Sequence, residues 1–451
     1  MSGPPQTTSH LASTRRGRHG RRAPIWMVAL IAALAGILTT AVFLYFRGDG
    51  SAPKVDERPV GEIAQGFDWP AWGFTHTENS LESTPGAAQN VTTQPLLQAQ
   101  HIMGFGALNP QETPGRFDWT SLDRRVEQMR QTGGTPVITL CCAPDWMKGG
   151  PAGKTDWSHL NDAPAAPFFD AFAEQAGVVA KRYPDIKYFM VWNEFKGFFN
   201  QGRNRWDYEG YTQLYNKVYT AVKAANPDAK VGGPYMVVNS YANDRAESSG
   251  ELKGAWGAAD KRALDALKYW FKNKKGADFV VVDGSTLPED RTAHADEFAA
   301  TGKFGAVTRW LRANGGGLPV VWSEWYVEPP DARWPADRLN AVQTVAMIEF
   351  AESGASGALY WSPQGSPAPC AGCLWDASGR RLPPLEMLQN FARWFKPGTE
   401  LMPMAAASKS VRVLSSRQEF VAVNTTGQAV STTVGSVRLD LQPYEVKWVA
   451  R

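Results

Sequence analysis

The chain has 451 residues, 43% hydrophobic and 20% charged, which are the proportions of a folded globular protein with more than one structural unit. Its net charge of +3 sits at the N-terminus: residues 1–47 hold six Arg and no acid, so the remainder carries −3 and offers no basic body for nucleic acid. Aromatic residues reach 12%, with 18 Trp; most belong in a core, but flat rings also stack on the apolar faces of sugars.

Residues 1–24 read as a basic cytoplasmic tail. Residues 25–46 (IWMVALIAALAGILTTAVFLYF) follow without a charge, and 22 residues of helix are enough to cross a bilayer core of ~30 Å. The Arg cluster before them orients that end to the cytoplasm, so the expectation is a single-pass membrane anchor with the body outside the cytoplasm. A cleaved signal peptide, giving a secreted protein, is the alternative; its apolar region would be only ~7–15 residues long. Residues 47–60 read as a flexible linker.

Residues 61–397 alternate short apolar runs with helix-like segments, the rhythm of a parallel sheet with helical crossovers. Strands are expected at 72–75, 101–106, 136–141, 188–192, 230–232, 279–282, 320–322 and 358–361. Helices are expected at 122–131, 167–182, 211–225, 260–272, 304–313, 339–352 and 385–394. Eight such strands predict an α/β fold, a (β/α)8 TIM barrel. A doubly wound open sheet usually carries a Gly-rich phosphate loop after its first strand, and none is present. Residues 398–451 change texture to alternating apolar and polar residues, predicting a small antiparallel β-sheet unit packed on the barrel.

The sharpest local signal is YFMVWNEF, an apolar strand ending in Asn193-Glu194. The second is VVWSEWYVEP, where a strand ends in Trp322 and Glu324 follows two residues later. In a barrel enzyme, chemistry sits at the C-terminal ends of the strands, so both Glu point to one mouth. Glycoside hydrolysis needs two carboxyl groups, one protonated to assist the leaving oxygen and one ionised. A lone strand-end Glu is as readily a surface or capping carboxylate; two in matching Trp-polar-Glu settings are not. Glu328 is a rival to Glu324 but lies further from the strand.

Around these residues the chain resembles clan A glycoside hydrolases and, within them, glycoside hydrolase family 39. The likeness runs through GRFDWTSLDRRVEQMRQTGGTPVITLCCAPDWM (115–147), FAEQAGVVAKRYPDIKYFMVWNE (172–194) and YTQLYNKVYTAVKAANPDAKVGGP (211–234). The resemblance implies a retaining double displacement with Glu194 as acid/base, Glu324 as nucleophile and Asn193 on the sugar 2-hydroxyl. Glu194 then needs a raised pKa, which burial against Trp192 and Phe195 is expected to supply. Three departures stand out. The second strand lacks the clan's Arg, the sixth-strand His-x-Tyr element is replaced by Asp283, and Pro-Asn after the motif Glu is replaced by Phe195-Lys196.

Further substrate-binding candidates are His76 after the first strand, Trp146 after the third, Tyr235 after the fifth, Asp283, Tyr326 and Trp361. Phe198, Phe199 and Trp206 follow Glu194 on the leaving-group side. Of the four Cys, Cys370 and Cys373 make the simplest disulfide, with bridges to Cys141-Cys142 as the alternative. No cofactor motif is present, and the vicinal Cys pair does not suit a metal site. The expected function is a retaining glycosidase, xylosidase-like or arabinofuranosidase-like, acting on an extracellular or cell-wall carbohydrate. The alternatives are a transglycosylase remodelling envelope glycan and a non-catalytic glycan-binding envelope protein.

Overall fold

The structure, a computed structural model, describes residues 59–66, 71–78, 81–82, 84–329, 334–364 and 372–451. The expected tail and membrane anchor, and nearly all of the linker, lie outside these. Among the described residues no helix is long and apolar enough to cross a membrane.

Eight parallel strands close a barrel in sequence order: β1 (Trp72–Thr75), β2 (Leu97–His101), β3 (Thr135–Leu140), β4 (Tyr188–Val191), β5 (Lys230–Val237), β6 (Phe279–Ser285), β7 (Val320–Tyr326) and β8 (Gly357–Tyr360). Between and after them lie α1 (Pro85–Val91), α2 (Thr120–Gln131), α3 (Phe169–Arg182), α4 (Tyr208–Ala225), α5 (Lys261–Asn273), α6 (Gly302–Asn314), α7 (Ala336–Ser353) and α8 (Pro383–Trp394). The fold is therefore the (β/α)8 barrel expected from the sequence. Its helices form for local reasons. In α4 the Asp207 carboxylate accepts from the Gly210 amide as N-cap, and Tyr211, Leu214, Tyr215, Val218 and Val222 repeat at helical spacing to make the buried face. Asp260 caps α5 in the same way, through the Arg262 amide.

Strand parity divides the core into two layers. Leu97, Ala99, Val137, Tyr188, Met190, Tyr235, Phe279, Val281, Val321 and Leu359 fill the barrel interior. The alternate positions, among them Trp72, Phe74, Ile138, Phe189, Val191, Val280, Val282 and Trp322, pack against the helices. Barrel closure is pinned where the Trp72 indole donates to the Phe395 carbonyl just after α8, at 2.7 Å.

The second strand corrects the sequence reading. Residues 101–106 were expected to form it, but it spans Leu97–His101. Gly104, Phe105 and Gly106 all have φ between 51° and 86°, a left-handed turn rather than a strand. The true strand was obscured because Gln98 and Gln100 break its apolar run. Both are buried outside the barrel, Gln98 donating to Thr132 Oγ1 and Gln100 accepting from Arg125.

Beyond the barrel, β9 (Val411–Ser415), β10 (Glu419–Asn424) and β13 (Val446–Ala450) form an antiparallel sheet, and β11 (Val430–Val434) pairs with β12 (Val437–Leu441) as a hairpin. This unit packs on the barrel's helices. Trp448 sits 5.4 Å from both Phe391 and Trp394, and Arg412 reaches Glu349 and Glu352 of α7 at 3.1 Å. A two-residue ladder, Gly61–Glu62 with Glu400–Leu401, ties the start of the described chain to the same end.

Candidate active site

Five strand ends build the site. Parity carries two of its residues directly: His101 continues the inward series Leu97, Ala99, and Asp283 continues Phe279, Val281. Two others arrive through bulges. In the β6–β7 ladder Val282 pairs with Trp322 but Asp283 pairs with Glu324, so Ser323 is the extra residue that sets Glu324 level with Asp283. In the β5–β6 ladder Val281 pairs with Pro234 and Val282 with Met236, so Tyr235 is the bulged residue; its φ is 56°.

Glu194 follows β4 on a strained turn. Trp192, Glu194, Phe195 and Gly197 all have φ between 50° and 78°, a region costly for the three non-glycine residues. Aromatic packing holds the turn: Phe195 stacks on Tyr211 at 4.0 Å, and the Trp192 indole donates to the Lys196 carbonyl at 2.8 Å. Gly197 is required here, because a Cβ would lie 2.1 Å from the Ala163 amide. Phe198, expected beside the leaving group, is instead buried in this aromatic cluster.

Glu194, Asp283 and Glu324 converge, with one carboxylate oxygen from each within 4.8 Å of the others. Glu324 is 3% exposed and Asp283 fully buried. Two unit charges ~5 Å apart repel by ~3 kcal/mol at an effective dielectric of ~20, so three ionised carboxylates cannot coexist here at neutral pH. Lys196 supplies one positive charge, its ammonium 2.5 Å from Glu194. The Tyr235 hydroxyl donates to Glu324 at 2.6 Å. The same three oxygens would suit a divalent cation in geometry, but the Lys196 ammonium already provides the countercharge at Glu194.

The resulting proton distribution corrects the expectation for Glu194. Burial pushes its pKa up, but a hydrogen bond with Asp283 and the charge of Lys196 outweigh that, and the net direction is down. Burial, then the nearby Glu194 charge, drives Asp283 well above the usual carboxylate range. The same two causes raise Glu324 to about 8. The three titrate as one set, so these directions describe shared protons rather than isolated groups. In the resting site the negative charge rests on Glu194, beside Lys196.

The remaining predicted residues divide. Asn193 is fully buried and neither of its side-chain polar atoms has a protein partner, so both are available to a ligand. Trp361 meets Phe105 edge-on at 5.0 Å; Phe105 in turn lies 4.4 Å from His101 and 5.6 Å from the Lys196 ammonium, forming an aromatic wall. Tyr326 ends β7, two residues beyond Glu324, and burial and the three carboxylates raise its pKa. Glu328 is held by the Ser285 hydroxyl.

Two candidates are corrected. Trp146 donates its indole N–H to the Gln111 carbonyl at 3.0 Å and packs on Phe168, so it braces loops. His76 shares the outward face of Trp72 and Phe74, and its Nε2 pairs with Gln98 Oε1 at 2.9 Å. The histidine of the site is His101, fully buried, with neither ring nitrogen hydrogen-bonded. Burial, then the Lys196 charge, lowers its pKa to about 3, so it is a neutral imidazole. The alternation Leu97-Ala99-His101 was the signal that could have found it.

Cys141 and Cys142 form a vicinal disulfide after β3. Cys373 is also disulfide-bonded, while Cys370, its expected partner, lies outside the described residues.

No family model matches the chain, and no curated protein matches its sequence. Solved structures do match its fold. A monomeric β-xylosidase from Caulobacter crescentus CB15 is 17% identical, with a TM-score of 0.55 over 81% of this chain and 75% of its own. A GH39 enzyme from Xanthomonas axonopodis pv. citri is also 17% identical, with a TM-score of 0.55 over 80% of this chain and 73% of its own. SrfJ from Salmonella typhimurium is 13% identical, with a TM-score of 0.57 over 87% of this chain and 94% of its own. The resemblance to glycoside hydrolase family 39 read from the sequence is thus met by fold.

Proposed function

We propose that this chain is a retaining O-glycoside hydrolase in which Glu324 attacks the anomeric carbon and Glu194 serves as acid and then base. One observation carries the reading: carboxylate oxygens of Glu194 and Glu324, delivered by β4 and β7, lie within 4.8 Å. Retaining pairs stand ~5–5.5 Å apart, whereas inverting pairs need ~6.5–9.5 Å to admit a water. In the first step Glu324 forms a glycosyl ester while Glu194 protonates the departing oxygen. In the second, Glu194 takes a proton from water as that water opens the ester. Tyr235 supports the ionised Glu324, and Asn193 and neutral His101 offer hydrogen-bonding atoms to sugar hydroxyls.

Residues 25–46 support a location outside the cytoplasm, tethered by an apolar anchor. The substrate is a cell-wall or extracellular glycan, with xylosides and arabinofuranosides the first to test. A panel of aryl glycosides and glycans on the full chain tests the reading, with Glu324→Gln as control. Turnover of at least one glycoside by the native chain, lost in the variant, is expected; near-normal hydrolysis by the variant removes Glu324 from the role of nucleophile.

The Lys196–Glu194 ion pair favours a second reading, a glycan-binding barrel without turnover, because a carboxylate held beside an ammonium is a poor proton donor. Glycan binding without covalent labelling by any 2-fluoro glycoside would select it.

A further inference from the structure

The proposed reaction needs a proton on Glu194 and a charge on Glu324, yet the resting site has the charge beside Lys196, on Glu194. The route between the two states lies in a residue that the mechanism has not used. Asp283 pairs with Glu324 in the β6–β7 ladder, and its carboxylate lies within 4.8 Å of those of both Glu194 and Glu324. It is fully buried, and a carboxylic acid can accept at one oxygen while donating from the other, so it can take one proton and give another without a net change of charge.

We propose that Asp283 is a proton relay, a neutral carboxylic acid that passes its proton to Glu194 and takes one from Glu324. The proposal rests on the hydrolase reading. The exchange balances: one proton leaves Glu324, one arrives on Glu194, and Asp283 is neutral before and after. No proton crosses to solvent, and the net charge of the site is unchanged. The Asp283 carboxyl lies within 4.8 Å of both reacting carboxyl groups and acts through them, so it is a positioning residue.

The groups facing it are consistent with this. From the turn after β4 come Glu194 and Lys196, and from β7 Glu324 and Tyr326. Tyr235 of β5 holds Glu324 at 2.6 Å, ready to stabilise its charged form. Lys303 of α6 is buried and donates to the Ser285 carbonyl at 2.8 Å; burial lowers its pKa to about 7, so it is a weak countercharge for an ionised Asp283. Glu328 is occupied by Ser285. Burial and the neighbouring Glu194 and Glu324 carboxylates raise the Asp283 pKa well above the usual carboxylate range.

The test is carboxyl carbon NMR on the full chain, enriched with carbon-13 at Asp side-chain carboxyls. One Asp resonance should stay at the neutral-acid position from pH ~5 to ~8, where ordinary Asp is ionised. Asp283→Asn should remove it. If that variant does not fold, Glu194→Gln should shift the same resonance by changing its partner. Uniformly ionised Asp carboxyls, or a neutral resonance that survives Asp283→Asn, would overturn the relay.

On a glycoside that the chain hydrolyses, Asp283→Asn should lower kcat by ~10²-fold for a poor aryl leaving group and displace the pH profile, with Asp283→Glu restoring part of both. An unchanged profile would also overturn it. Failure of the titration alone leaves the hydrolase reading standing. A neutral Asp283 in a chain that hydrolyses nothing overturns the reading on which the relay depends.

Discussion

Glu194 and Lys196 are two residues apart, and their pairing follows from the left-handed turn that bends the chain between them. The ammonium favours the charged form of every carboxyl within reach, so its removal has a definite sign. In Lys196→Met the pKa values of Glu194, Asp283 and Glu324 all rise. Glu194 then keeps its proton to higher pH, and Glu324 ionises only at higher pH. Both limbs of the kcat/KM profile should therefore move upward in pH, measured on an aryl glycoside; a shift downward would contradict the charge assignment. For the acid role, Glu194→Gln should cost ~10²–10⁴-fold on a poor aryl leaving group and far less on a dinitrophenyl glycoside, which needs little proton assistance. Equal losses on both would remove Glu194 from that role.

Strand parity separates His76, just after β1, from His101, at the end of β2. His101→Ala should raise KM with little change in melting temperature. His76→Ala should lower melting temperature with little change in kcat/KM, because His76 braces β1 against Gln98. A reversed pattern would overturn the parity argument. The pH dependence has a sign as well. Burial lowers His76 from 6.5 to about 4, so the unfolded chain binds its proton more readily than the folded one. Stability is therefore full above pH 6.5, lost as pH falls, and levels off below about 4. His76→Gln should flatten part of that acid slope in thermal melts.

Much of this element scale was legible. The apolar runs ending in Trp192 and Trp322 located β4 and β7, and helix α4 was readable from its repeat of apolar residues. The second strand was not, because its outward Gln98 and Gln100 are buried in a polar network that mimics a surface pattern. Nor were the bulges at Ser323 and Tyr235, since an extra residue in a ladder leaves no periodic trace in so short a strand. The proton distribution was illegible for a related reason: it depends on Lys196 folding back onto Glu194, which only the turn geometry determines.

At the scale of the molecule, the barrel brings residues 101, 194, 235, 283 and 324 to one mouth from five strands, so no single segment contains the site. The small β unit sits apart from that mouth in its contacts, packing on α7 and α8. Its role in the described contacts is to cover apolar rings. Trp448→Ala should lower stability by ~2 kcal/mol, less than a fully buried Trp, since its ring is only partly covered. Denaturant unfolding should show this with kcat/KM unchanged; a normal midpoint would mean that the unit does not brace the barrel.

In the proposed displacement Glu324 of β7 carries the sugar while Glu194, after β4, carries the proton. That assignment is tested most directly by trapping with a set of 2-deoxy-2-fluoro glycosides, followed by peptide mass mapping. The account predicts a single covalent adduct on the peptide bearing Glu324, and none in Glu324→Gln. An adduct on Glu194 or Asp283, or turnover of a glycoside with inversion at the anomeric carbon, would contradict it.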